Sequence, residues 1–125
     1  MKADAKEEIK EKPANRRGAK VVDLDEKANA LVGFALKAGQ TVTGFDPVLR
    51  AMAKKQILFI LVSHDISPNT LKKIRYEVAE KRIHLFKTSS GTDWEARWGI
   101  EGRRILGFRN GELGRKLLKK FKVGE

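Results

Sequence analysis

Candidate catalytic side chains are few in this sequence. Cysteine is absent, and His64 and His84 are the only imidazoles that could serve as a base beside a Ser, Thr or Lys nucleophile. His84 falls in an apolar stretch, where we expect a structural histidine, and His64 precedes Asp65, where we expect a loop-capping role. A metal site made of Asp46, His64 and Asp65 would have to be assembled across separate loops. The sequence therefore predicts no catalysis, no cofactor and no resident metal.

Basic side chains give the stronger chemical signal. The chain has 27 Lys and Arg against 16 Asp and Glu, which gives a net charge of +11 and a pI near 10.1. Such an excess attracts polyanions over a Debye length, about 8 Å at physiological salt. Nucleic acid is the first partner that this charge indicates, and an anionic membrane surface is the second. The longest apolar run, residues 57–62, is about a third of the roughly 20 residues that cross a bilayer, so we expect no membrane span.

Only one glycine lies where it could help to bind phosphate. Phosphate-cradling loops join a strand to a helix N-terminus, and the sequence contains neither G-x-x-x-x-G-K-[S/T] nor G-x-G-x-x-G. Gly44 alone follows a predicted strand and opens a predicted helix, with Arg50 and Lys54 following. A helix N-terminus with basic side chains near it can hold a nucleic-acid phosphate or a base edge. Phe45, beside this glycine, either stacks on a base or packs inward.

The elements that position these residues alternate between helix and strand. Asp23 is the expected N-cap of a first helix that ends at Gly39, and Asp46 with Pro47 is expected to begin a second helix. Ser67 and Pro68 repeat the cap signal for a third. The predicted strands are residues 40–43, 57–62, 83–87 and 104–109, and the last two helices are residues 92–98 and 112–121. Trp94 and Trp98, four apart, are expected to pack in the core. This order predicts a three-layer α/β/α sandwich with a central mixed four-stranded sheet.

The 125 residues suit one domain of ordinary size. Residues 1–20 mix charges with almost no large apolar side chain, so we expect a flexible charged tail there and a folded domain over residues 21–125. Eight of the eleven excess positive charges belong to that domain. No targeting signal is evident, which makes the cytoplasm the expected location.

Short motifs in a fixed order add a family resemblance. They are Lys37-Ala38-Gly39, Val42-Thr43-Gly44, Asp65-x-x-Pro68, Gly99-Ile100-Glu101 and Asn110-Gly111-Glu112-Leu113. Over about residues 24–121, the chain resembles the superfamily of kink-turn RNA-binding ribosomal proteins of the L7Ae type, and especially its bacterial YlxQ-like branch. The resemblance implies an α/β/α sandwich that holds RNA by the loop opening its second helix and by a short loop before its last strand.

Matched position by position, the resemblance implies two RNA-binding segments. The family's glycine falls on Gly44, its basic helix residue on Arg50 and its second loop on residues 100–103. With the neighbouring residues included, the expected contacts are Gly44, Phe45, Asp46, Arg50 and Lys54 in the first segment and Ile100, Glu101, Gly102, Arg103 and Arg104 in the second. The chain departs from the family pattern at Phe45-Asp46-Pro47, where kink-turn binders have a small hydroxyl residue, then Asn or Lys, then Glu or Gln. The second loop is also shorter and more basic.

The sequence therefore predicts a non-enzymatic protein that binds structured RNA, in association with the ribosome, with altered kink-turn recognition residues. The alternative is an interaction module of the same fold whose basic surface meets an acidic protein partner. A nuclease-treated pulldown separates the two, and the oligomeric state stays open.

Overall fold

A computed structural model of the chain describes residues 19–123, which form a five-stranded sheet with five helices. The strands are β1 (Lys20–Val22), β2 (Thr41–Thr43), β3 (Ile57–Val62), β4 (His84–Thr88) and β5 (Ile105–Arg109). The helices are α1 (Glu26–Lys37), α2 (Phe45–Ala53), α3 (Pro68–Lys81), α4 (Trp94–Trp98) and α5 (Glu112–Val123). Among the helices within residues 19–123, none combines the length and apolar character needed to cross a membrane.

The sheet is mixed, with the strand order β1-β4-β3-β5-β2. Strand β5 runs antiparallel to both of its neighbours, and the other pairs are parallel. The prediction of four strands missed β1, whose residues Lys20-Val21-Val22 do not alternate and adjoin the charged N-terminal segment. Strand β1 begins at Lys20, inside the range expected to be a tail. The rest of that expected tail, residues 1–18, lies outside the described residues, and the tail stays a prediction.

Strand β3 explains the apolar run in the sequence, because both of its faces are covered. Phe59 and Leu61 pack under α1, α4 and α5, whereas Ile60 and Val62 pack under α2 and α3. The Phe59 ring stacks on Phe108 of β5, with centroids 4.6 Å apart. These two apolar layers confirm the predicted α/β/α sandwich.

Two helix starts differ from the sequence prediction. Asp25, rather than Asp23, is the N-cap of α1, and its Oδ1 accepts a hydrogen bond of 2.7 Å from the amide of Ala28. Helix α2 has Gly44 as its N-cap, so Asp46 lies inside the first turn. Pro47 is tolerated there because the first amides of a helix have no intrahelical acceptor. The expected cap of α3 is confirmed: Ser67 Oγ accepts from the amide of Thr70 at 3.2 Å.

The strand directions distinguish two edges of the sheet, one at each end of the strands. The carboxyl ends of β1 to β4 meet the amino end of β5 at one edge, where α1 to α4 also begin. We call this the carboxyl edge; its connecting segments are residues 23–26, 44–47, 63–68, 89–95 and 99–104. The opposite side is the amino edge, with connecting segments 37–40, 54–56, 81–83 and 109–112. In open sheets, ligands commonly bind at the carboxyl edge.

Candidate nucleic-acid interface

The two segments expected to contact RNA meet at the carboxyl edge. Strand β2 pairs with β5, and the amide of Gly44 extends this pairing with a 3.0 Å hydrogen bond to the carbonyl of Ile105. The Arg103 side chain crosses the same point, because its Nη1 lies 2.6 Å from the position that a Cβ on Gly44 would occupy. The start of α2 and the loop before β5 therefore form one surface.

A shallow groove of about 410 Å³ runs along this surface. Gly44 and Phe45 line one side of it, and Gly102 to Ile105 line another. Asp65, Ile66, Ser67 and Thr70, around the start of α3, complete it. The sequence analysis assigned none of Asp65, Ile66, Ser67 and Thr70 to the interface. The strand order explains their position, because β3 lies next to β5 and delivers the start of α3 beside the second loop.

The two arginines of the second loop have different surroundings. Arg104 Nε lies 3.0 Å from Asp65 Oδ1, and both side chains are a little under half exposed. The hydroxyl of Ser63 donates a 2.5 Å hydrogen bond to the same oxygen, and this bond, followed by the charge of Arg104, holds the pKa of Asp65 below its ordinary value. No carboxylate within residues 19–123 pairs with Arg103, which leaves its charge available to a ligand.

Helix α2 carries the remaining residues of the first segment along its length. Asp46 and Arg50 are exposed one turn apart, at the spacing that puts side chains on one side of a helix. Lys54 is the C-cap, about 15 Å farther along the axis than Gly44 at 1.5 Å per residue. It therefore lies at the amino edge and apart from the groove. Phe45 is half-buried and packs against the core beneath α2 and α3, which favours inward packing over base stacking.

The second loop also has a structural residue and two exposed ones. Ile100 is half-buried and packs against the core beneath α1, α4 and α5. Glu101 and Gly102 are exposed, and Gly102 has φ +68°. The loop is thus held by its isoleucine while its polar residues face solvent.

The two tryptophans and the two histidines lie outside the two segments. Trp94 Nε1 donates to Thr88 Oγ1 at 3.2 Å, and Trp98 Nε1 donates to the carbonyl of Asn29 at 3.2 Å, which confirms the expected core packing of both indoles. His84 lies exposed at the start of β4, where its ring stacks on Phe86. His64 is half-buried two residues after β3, and its buried Nδ1 has no hydrogen-bond partner within residues 19–123, so this nitrogen does not make the expected capping contact.

Metal-binding side chains do not converge in the described part of the chain. Residues 19–123 contain no group of three or more His, Cys, Asp or Glu side chains that could hold a metal ion. The grouping of Asp46, His64 and Asp65 that was considered from the sequence is therefore not assembled by the fold.

Charge is distributed unevenly between the two edges of the sheet. The connecting segments of the carboxyl edge hold eight carboxylates and two arginines: Asp23, Asp25, Glu26, Asp46, Asp65, Asp93, Glu95, Glu101, Arg103 and Arg104. Those of the amino edge hold six cations and one carboxylate: Lys37, Lys54, Lys55, Lys81, Arg82, Arg109 and Glu112. The segments of the carboxyl edge are therefore acidic in sum, and those of the amino edge are basic.

The mixed five-stranded sheet between two helix layers, with a glycine-capped helix beside the loop before the last strand, defines an α/β/α domain of the L7Ae type. A sequence profile supports this assignment over more than half of the chain, residues 26–93. The chain belongs to the ribosomal protein L7Ae/L30e/S12e/Gadd45 family. The resemblance found in the sequence motifs is thereby confirmed.

Individual relatives agree with the family assignment. The RNA-binding protein YlxQ of Enterococcus faecium is 24% identical over 91 residues, which cover 73% of this chain and 87% of that protein. A solved structure of a Bacillus halodurans protein with unknown function has a TM-score of 0.70 at 23% identity, covering 78% of this chain and 99% of that one. The Giardia lamblia 15.5kD RNA binding protein has a TM-score of 0.64 at 9% identity, covering 80% and 92%. These two structures share the fold.

Proposed function

We propose that this protein binds structured RNA, without catalysis, in the groove between the start of α2 and the loop before β5. The observation that carries the proposal is the position of the Arg103 guanidinium across Gly44, which joins the two segments into one surface. Membership of the family and the similarity to a protein named for RNA binding support it. We further propose that the RNA is a bent element of the kink-turn type and that the protein is associated with the ribosome. The cytoplasm is the proposed location.

Backbone and side-chain donors in and beside the groove have chemical roles in this proposal. The amides of Phe45 and Asp46 belong to the first turn of α2, where backbone donors have no intrahelical acceptor and can face an anion. Arg103 and Arg50 supply cationic donors for phosphate oxygens or for the O6 and N7 acceptors of guanine.

The exposed acids beside the groove suit base edges rather than phosphates. A carboxylate accepts hydrogen bonds from exocyclic amino groups, such as N4 of cytosine, and repels the backbone. Asp46 and Glu101 are exposed on the two segments and can accept in this way. RNA whose bases are splayed out of a helix presents such edges, whereas a regular duplex hides them in a deep major groove. The acidic character of this edge therefore favours a bent or unpaired RNA element.

The test is a fluorescence-anisotropy titration with a kink-turn RNA and a straight duplex of equal length, each at two salt concentrations. We expect Arg103→Glu and Arg50→Glu to weaken binding to the kink-turn RNA at least tenfold. Both substitutions should leave the free energy of unfolding within about 0.5 kcal/mol, because they change exposed side chains. Lys119→Glu is the matched control, since this lysine is exposed on α5, on the other face of the sheet.

Each outcome of the titration has a defined meaning. Unchanged affinity in Arg103→Glu would contradict the proposed groove. A preference for the kink-turn RNA that persists at high salt supports the kink-turn proposal, whereas equal and steeply salt-dependent binding of both RNAs contradicts it. Absence of binding at low salt, together with partners that survive nuclease in a pulldown, would favour the acidic protein partner instead.

A further inference from the structure

A group of cations at the amino edge has no role in the RNA-binding groove. We call it the amino-edge cluster; it consists of Lys54, Lys55, Arg82, Arg109 and Arg115. The first two join α2 to β3, Arg82 joins α3 to β4, Arg109 ends β5 and Arg115 lies in the first turns of α5. The five thus come from three parts of the sequence, residues 54–55, 82 and 109–115, and lie at one side of the sheet.

Strand and helix ends place these cations at the same end of the sheet. Arg109 of β5 pairs with Ile57, the first residue of β3. Lys55 lies two residues before Ile57. Arg82 is the C-cap of α3 and lies two residues before β4, the strand on the other side of β3.

The charges of the cluster are not neutralised by neighbouring carboxylates. Arg109 Nη1 donates to the amide oxygen of Gln56 at 3.3 Å, and Arg115 Nη1 donates to that of Asn110 at 3.0 Å, so both contacts are with uncharged groups. Within residues 19–123, no member of the cluster forms an ion pair. The neighbouring carboxylates Glu77 and Glu112 are engaged elsewhere.

Those two carboxylates pair with lysines outside the cluster. Glu77 lies 3.0 Å from the ammonium of Lys81, and Glu112 lies 3.8 Å from that of Lys116. Both are i,i+4 pairs within one helix. Glu80, in the last turn of α3, forms no ion pair within residues 19–123, and one carboxylate against five cations leaves the amino-edge cluster with a net positive charge.

Backbone conformation gives a second, independent observation. In the described part of the chain, Lys55 (φ +59°) and Arg82 (φ +57°) are the non-glycine residues with positive φ. Each follows a helix, at a position where glycine or asparagine is the favoured residue. A cation near a helix C-terminus is favourable in itself, but α2 and α3 already have Lys54 and Lys81 there, without positive φ. Helix termination therefore does not account for the choice of Lys55 and Arg82.

We propose that the amino-edge cluster is a second anion-binding surface, which takes the phosphate backbone of RNA on the side of the sheet opposite the groove. Phosphate contacts need cations and neutral donors, and the cluster offers these together with two amide side chains. A protein interface is built around an apolar centre, which these residues do not provide. The six residues of β3 separate the two edges by about 20 Å, so the two surfaces contact different stretches of backbone. The protein would thus bridge two RNA segments.

The test replaces Lys55 and Arg82 by asparagine, a residue that tolerates their positive φ. Lys55→Asn combined with Arg82→Asn removes two charges. With a straight RNA duplex as the probe, we expect the slope of log affinity against log salt to fall by about two, one for each cation lost. Affinity at about 0.1 M salt should fall at least tenfold. The melting temperature should not fall.

The matched control is Lys72→Asn combined with Lys73→Asn, which removes the same charge from an exposed face of α3. An unchanged slope in the Lys55 and Arg82 double variant would overturn the proposal, and so would an equal loss in the control. If the double variant melts lower than the parent, Arg109→Gln combined with Arg115→Gln tests the same surface without touching a left-handed residue. The same fall of about two in the slope is expected.

Two further measurements distinguish this proposal from RNA binding in the groove and from binding of an acidic protein. Arg103→Glu should reduce the preference for kink-turn RNA and leave the duplex salt slope nearly unchanged, so the groove and the amino-edge cluster can fail independently. Polyglutamate serves as a mimic of an acidic protein. If it displaces the duplex as effectively as an equal charge of RNA does, the surface takes acidic protein and the assignment to RNA phosphate is overturned.

Discussion

The guanidinium of Arg103 lies against the backbone of Gly44. Its Nη1 is 2.6 Å from the position that a β-carbon on Gly44 would occupy, which is too close for a β-carbon to fit without movement. Gly44 also has φ +104° and ψ 155°, a region of backbone conformation that is essentially restricted to glycine. Glycine is therefore required for the backbone conformation that turns β2 into α2. A β-carbon there would also displace the flexible end of Arg103.

Replacing Gly44 by alanine should disturb both the turn and the position of Arg103. We expect Gly44→Ala to lower the free energy of unfolding by about 1–3 kcal/mol from backbone strain, and to displace Arg103. Gly33→Ala is the control, because Gly33 lies within α1 and a Cβ there meets nothing within 4 Å. This control should raise stability by about 0.5–1 kcal/mol. Chemical denaturation measures both variants, and a Gly44→Ala protein as stable as its parent would contradict this account.

The sequence predicted the sheet where strands are long and buried on both faces. Strand β3 was recognisable because each residue of the run 57–62 is apolar, and β5 because it follows a glycine-terminated helix. Strand β1 was missed because its three residues do not alternate and adjoin a charged segment. The equally short β2 was predicted because Thr41-Val42-Thr43 alternates. The N-cap of α1 was shifted by two residues because Asp23 and Asp25 offer the same side chain, and the geometry of the turn decides between them.

The candidate site was predictable in its parts but not in its shape. The motif resemblance indicated both segments, and strand pairing does bring Gly44 beside the second loop. Local sequence could not show that Lys54 lies at the other end of α2. It also could not show that the segment around the start of α3 joins the groove, since this depends on β3 lying next to β5. The contrast in charge between the two edges likewise depends on strand order, because its residues are scattered along the chain.

The buried hydrogen bond between Trp94 and Thr88 gives a test of the core beside the site. Thr88 is fully buried, and its hydroxyl accepts the indole N–H at 3.2 Å. Thr88→Val keeps the shape and leaves that donor unpaired, which should lower the free energy of unfolding by about 1–3 kcal/mol. Thr88→Ser keeps the hydroxyl and is the control for the hydrogen bond, although it loses a methyl group. If Thr88→Val proves at least as stable as the parent, the hydrogen bond does not contribute.

The ion pair between Asp65 and Arg104 predicts a dependence on pH. Because the pKa of Asp65 is lowered in the folded state, chiefly by Ser63 and then by Arg104, its ionised form stabilises the fold. This contribution is complete above the ordinary carboxyl pKa of 3.8 and is lost as pH falls through the lowered folded value. Asp65→Asn should therefore be less stable than the parent at pH 7, by roughly 0.5 kcal/mol for such an exposed pair. The difference should vanish in strong acid.

Asp65→Asn should act on RNA binding in the opposite direction. It removes one carboxylate from the groove and releases Arg104, so affinity for an RNA bound there should rise severalfold at low salt and less at high salt. Asp93→Asn is the control, because Asp93 is an acid of the same edge that caps α4 and pairs with no arginine within residues 19–123. Anisotropy at two salt concentrations measures both variants. A gain that is equal in the two would mean that only the total charge of the edge matters, and no gain in either would show that RNA does not approach Asp65.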